Sequence, residues 1–174
     1  RDKAEIRREW FAETGSDGLI ALSGAHLGDV SEALVNGNFD LAGERAKVWA
    51  AIFPDAFYLE VQRYGQSQQE AIVQQTADLA GELGLPLVAT HPVQFMNRDD
   101  FRAHEARVCI AEGYVLGDSR RPRTYTEEQY FKTQAEMVEL FADLPEALEN
   151  SLEIARRGNI ELMLGKNFLP DFPI

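Results

Sequence analysis

Short apolar runs alternate with amphipathic stretches along this chain, and that alternation constrains the fold more than any other feature. Residues 18–23 (GLIALS), 56–62 (AFYLEVQ), 86–90 (PLVAT) and 160–164 (IELML) read as strands. Between them the spacing is helical. Ala42, Ala46, Trp49 and Phe53 fall on one face, and Pro54 ends that helix. Strand–helix alternation with short turns predicts an α/β fold with largely parallel strands. In such folds functional groups gather just beyond the C-terminal ends of strands. The segments to inspect are therefore 23–29, 62–65 and 91–94.

Local signals mark the helix ends. Residues 3–14 read as a leading helix. Ser67 with Glu70, Thr126 with Gln129 and Thr133 with Glu136 each have capping-box spacing. Ile72, Thr76, Leu79 and Leu83 share a face, and Gly84 suits a left-handed stop. Asn97 is placed to cap a helix whose Phe101, His104 and Val108 face inward, with His104 as a packing residue. Pro145 suits a first helical turn, and Gly158 a helix end.

Composition narrows the function classes. The 174 residues suffice for one ordinary domain, and 45% are hydrophobic, which fits a globular chain. The formal net charge of -12 argues against this piece being the main grip on a nucleic-acid backbone, because phosphates favour basic surfaces. Cys109 is the only cysteine, which excludes an internal disulfide and a four-cysteine zinc site. No apolar run has the length to cross a membrane, and no signal-peptide pattern opens the chain. The start, Arg1-Asp2-Lys3, lacks an initiator Met and reads as mid-helix, so we expect a fragment.

Few residues are arranged for chemistry. Residues 23–29 (SGAHLGD) form a turn with two glycines. It partly resembles a phosphate-cradling loop but lacks the P-loop Lys, and a compact strand-to-helix turn capped by Asp29 explains it as well. His26, His91 and His104 do not share a metal-ligand spacing. His91, at a strand end, is the best single ligand or proton-transfer candidate, but no carboxylate follows it until Asp99. Glu60 lies in an apolar strand and needs a partner such as Arg63. Arg120, Arg121 and Arg123 form a basic run suited either to phosphate or partner contact or to local pairing with Asp118, Glu127 and Glu128. No Ser/His/Asp arrangement, H-E-x-x-H or nucleotide-binding fingerprint is present. The closely spaced acids of a polymerase centre are also lacking.

Six segments in order carry a resemblance: residues 18–30 (GLIALSGAHLGDV), 57–65 (FYLEVQRYG), 85–95 (LPLVATHPVQF), 99–118 (DDFRAHEARVCIAEGYVLGD), 120–133 (RRPRTYTEEQYFKT) and 139–157 (ELFADLPEALENSLEIARR), followed by the tail LGKNFLPDFPI. Together they resemble the α subunits of bacterial DNA polymerase III, the C-family replicative polymerases, within and just past their PHP (polymerase and histidinol phosphatase) domain. The resemblance implies a partial PHP-type distorted β/α barrel over residues 1–158, and over residues 159–174 the lead-in to the polymerase palm. It places the catalytic carboxylates and their Mg downstream of this chain and implies no cofactor within it.

Metal-binding relatives read Asn-Asp-Val-His in the loop after the third strand and carry a Cys after the first. Here Pro92, Gln94 and Ala25 stand at those three ligand positions. The resemblance thus implies a degenerate, metal-free scaffold that docks the proofreading exonuclease and meets other replicase subunits, with DNA bound through the full-length cytoplasmic protein. The alternative is an active metal-dependent phosphoesterase or 3′–5′ exonuclease, with His26 or His91 compensating.

Overall fold

A computed structural model describes residues 6–167. The start of the leading helix stretch, 3–5, and the end of the tail, 168–174, lie outside the described residues. The elements are α1 (Arg8–Thr14), β1 (Ala21–Leu22), α2 (Asp29–Val35), α3 (Phe39–Ile52), β2 (Phe57–Gln62), α4 (Gln69–Leu83), β3 (Leu87–Thr90), α5 (Phe101–Glu112), α6 (Gln134–Leu140) and α7 (Pro145–Arg157). The sheet is parallel, in the order β1-β2-β3. Ala21 pairs with Phe57, and Leu59 with Leu87. The predicted α/β class, with parallel strands and flanking helices, is therefore observed.

β2 is the central strand, and Leu59, Val61, Phe57 and Tyr58 are all buried on its two faces. One core lies on the α2–α3 side and gathers Val30, Leu34, Ala42, Ala46, Phe53 and Leu59. The other gathers Val61, Val73, Ala89, Phe141 and Ala147 against α6 and α7. Each large side chain buried in these cores contributes roughly 1.5–3 kcal/mol. Asn150 of α7 donates its amide to the Leu87 carbonyl (2.7 Å). That carbonyl points away from β2, because the Leu59 N–H is met by the neighbouring Pro86 carbonyl instead.

Some end signals hold. Thr133 and Glu136 form the capping box of α6, Gly84 closes α4 at φ 65°, and Pro145 stands in the first turn of α7. Asp100 accepts from the Asn97 N–H (2.9 Å) at the entry to α5. Others do not hold. α4 starts at Gln69 without the Ser67–Glu70 box, because Arg63 engages the Glu70 carboxylate. Thr126 and Gln129 do bond, through the Thr126 N–H and Gln129 Oε1 (2.9 Å), but in a turn rather than a helix. The predicted strand 160–164 does not form. Ile160 and Leu164 are more than four-fifths exposed, with no strand beside them among the described residues.

Candidate functional site

The ends of β1 and β2 meet at a small cavity of about 100 Å3, lined among others by Ala25, His26, Glu60, Gln62, Tyr64 and Gln69. The turn after β1 builds one wall. Ser23 is buried, and its hydroxyl accepts the Glu60 N–H (2.8 Å), which fixes the turn to β2. Gly24 is left-handed (φ 81°), and so is Ala25 (φ 41°), unusual for a residue with a Cβ. His26 is exposed, its ring 5.4 Å from that of Tyr64. α2 begins at Asp29, which does not cap it. The Asp29 carboxylate instead accepts from Trp49 Nε1 (3.0 Å) and Arg8 (3.3 Å).

Glu60 does not pair with Arg63. Arg63 follows the end of β2, where its side chain turns to Glu70 and Asp143. Glu60 instead accepts from the Thr90 hydroxyl and from Gln62 Nε2 (3.3 Å), and Gln62 also donates to Thr90 Oγ1 (2.9 Å). Gln62 Oε1 is left buried without a partner. Arg63 reaches Glu70 (2.5 Å), Asp143 (2.6 Å) and the Leu140 carbonyl (2.8 Å), and lies over the Phe141 ring. It thereby ties the head of α4 to the end of α6. Asp143 is held below the usual carboxylate range chiefly by the Arg63 hydrogen bonds.

The loop after β3 is bound to residues 128–131. The Gln94 N–H donates to the Gln129 carbonyl (2.8 Å), the Phe131 N–H to the Phe95 carbonyl (3.0 Å), and Gln129 Nε2 to the Pro92 carbonyl (3.2 Å). His91 Nε2 lies 2.9 Å from the Glu128 carbonyl and so carries the proton, while Nδ1 is buried without a partner. Burial holds His91 below its ordinary pKa. Pro92 has no side-chain donor atom, and Gln94 is exposed.

Sequence reasoning singled out His91 but missed its partner, because a backbone carbonyl 37 residues away leaves no signal. Among the described residues no three His, Cys, Asp or Glu side chains are grouped to hold a metal ion. The structure brings Ala25 and His26 to the cavity. His91, Pro92 and Gln94 are not among the cavity-lining residues.

The basic run separates by partner. Arg120 pairs with Asp118 (2.8 Å), and Arg121 with Glu105 (2.5 Å), a pair largely removed from solvent. Arg123 is exposed and has no partner among the described residues. Glu127 and Glu128, expected beside these arginines, pair with Arg98, and Glu128 also with Lys132. His104 is buried as expected, its ring 4.7 Å from that of Tyr125.

Residues 1–64 match the PHP domain family. The chain is 58% identical over 171 residues to the DNA polymerase III subunit alpha of Neisseria meningitidis, 52% over 168 residues to that of Pseudomonas aeruginosa and 46% over 168 residues to that of Escherichia coli. These alignments cover 97–98% of this chain but only 14–15% of each relative. The chain spans about 15% of the length of the curated relatives it matches. No helix among the described residues is long and apolar enough to cross a membrane. A parallel sheet of PHP type, a PHP match over its first third and near-complete alignment with these relatives place the chain in one family: it belongs to the α subunits of bacterial DNA polymerase III, as a stretch of their sequence that includes part of the PHP domain.

Proposed function

We propose that this stretch is a metal-free PHP scaffold within the α subunit of a cytoplasmic bacterial replicase. The full-length subunit is then a DNA-directed DNA polymerase whose Mg-holding carboxylates lie outside these residues, and which meets DNA and the other replicase subunits. Here the PHP unit braces the polymerase and docks the proofreading exonuclease. One observation carries the reading: the side chains at the loop after β3 do not suit a transition-metal centre. Such a centre needs about three or four converging N, O or S donors. Pro92 and Ala25 offer none, Gln94 is exposed, and His91 spends Nε2 on the Glu128 carbonyl.

We also propose that the PHP unit runs on to residue 158, with 159–174 leading into the palm. Supporting this, Arg157 at the end of α7 donates to the Asp55 carbonyl (3.0 Å) and to the Tyr58 hydroxyl (2.8 Å), which fastens the last helix back to the head of β2. The exposed Arg123 is the member of the basic run left free for a phosphate or partner contact.

Metal analysis of the full-length subunit, purified without chelator, tests the scaffold reading. It should return no stoichiometric zinc or manganese, with no 3′–5′ exonuclease activity intrinsic to the subunit. One or more tightly bound transition-metal ions per chain would overturn it in favour of an active phosphoesterase. Pull-down of the exonuclease at micromolar concentration tests the docking role, and a folded subunit that captures none would refute it.

A further inference from the structure

A groove of about 580 Å3 runs between α3 and α4. Two stripes at helical spacing line it: residues 39–40, 43–44 and 47 on α3, and 75, 78–79 and 82–83 on α4. Its apolar part is open. Phe39 is 53% exposed, and Gly43 contributes no side chain, so that a Cβ there would meet only Leu79 Cδ1 at 3.9 Å. Its rim is acidic. Asp40, Glu44, Asp78 and Glu82 face a single cation, Lys47. None of the four carboxylates is in an ion pair among the described residues, and Asp78 accepts only from the Gln74 amide (2.9 Å).

We propose that this groove takes a basic amphipathic helix from a partner protein. The partner's apolar anchor packs on Phe39 and Leu83, and its Lys or Arg side chains lie among the carboxylates. The α3 stripe is about 12 Å long, which suits roughly two turns of an α-helix lying in a groove. The charge selects the occupant. A neutral segment would bury carboxylates without counter-charge, which is costly. Nucleic acid, or the same acidic groove of a second copy, would be repelled by these carboxylates. The inference is independent of the metal content at the strand ends.

The test uses the full-length α subunit and a labelled peptide helix with Leu at i, i+3, i+4 and i+7 and Lys elsewhere, read by fluorescence anisotropy. A twin peptide with Glu in place of Lys is the comparison. We expect saturable, salt-weakened binding of the Lys peptide and none of its twin. Glu44→Lys/Glu82→Lys should weaken binding about tenfold or more, and Glu44→Gln/Glu82→Gln by a smaller factor. Glu149→Lys/Glu153→Lys, on the exposed face of α7, should leave it unchanged. The proposal is overturned by absence of saturable binding, by equal loss in the α7 variant, by equal binding of the twin, or by reversal variants that remain folded and bind as tightly as the parent.

Discussion

Gly28 shows how closely the turn after β1 is packed. A Cβ at this position would lie 1.7 Å from the Ser23 carbonyl oxygen, a backbone atom that cannot swing away. Gly28→Ala is therefore expected to destabilise the protein by about 3 kcal/mol or more, read as a shift in the urea midpoint. Arg63→Met removes the tie between α4 and α6 but keeps the contact with Phe141. The Arg63 side chain is 12% exposed, whereas its partners Glu70 and Asp143 are 71% and 59% exposed. Most of the ionic gain is therefore screened, and the expected loss is about 1–2 kcal/mol, mainly from leaving the Leu140 carbonyl without its donor. His91 and His104 are both held below their ordinary value of 6.5, chiefly by burial, with Lys132 and Arg107 acting in the same direction. As the pH falls, the unfolded chain takes up these protons before the folded one does, so stability should begin to decline from about pH 6.5 downward, the histidine part of the loss being complete below their folded values. Unfolding midpoints at a series of pH values would check this. His91→Gln and His104→Gln should each flatten the slope, and an unchanged slope in both would refute the assignment.

At the scale of elements, α3 keeps a glycine in its interior that its own packing does not need. Gly43→Ala places a methyl in ordinary contact with Leu79, and the helix gains propensity, so thermal melts should show stabilisation of about 0.5–1 kcal/mol. The elements also show how much the sequence disclosed. β2 and β3 were legible because both are buried and their apolar runs are what a central or covered parallel strand requires. β1 shrank to two residues, with a strand on one side only. The run 160–164 has the same composition, yet hydrophobicity alone supplies no partner for its backbone. The Thr133–Glu136 box was legible because both members lie within one turn, while the box at Ser67 lost Glu70 to an arginine outside the helix. The Arg63–Asp143 pair spans 80 residues and left no trace in local spacing. The same holds for the His91–Glu128 bond, so the candidate site was legible as a set of strand ends but not as a network.

Across the whole molecule, the two margins of the sheet differ. β3 is buried along Val88 and Ala89 and meets α7 through Asn150, whereas around β1 Leu22 is 39% exposed and Leu19 51%. The isolated 174-residue chain is therefore expected to self-associate at micromolar concentration through β1, seen by sedimentation velocity, and Leu22→Lys should restore the monomer. A chain that stays monomeric well above that range would refute the expectation. The Asn150–Leu87 bond sets the order of that association. Endless stacking of strands needs two free margins on every copy, one to receive and one to offer. With an amide already seated on the Leu87 carbonyl, the β3 margin is the poorer of the two to receive a strand, so pairing is expected to favour closed dimers over growing fibres.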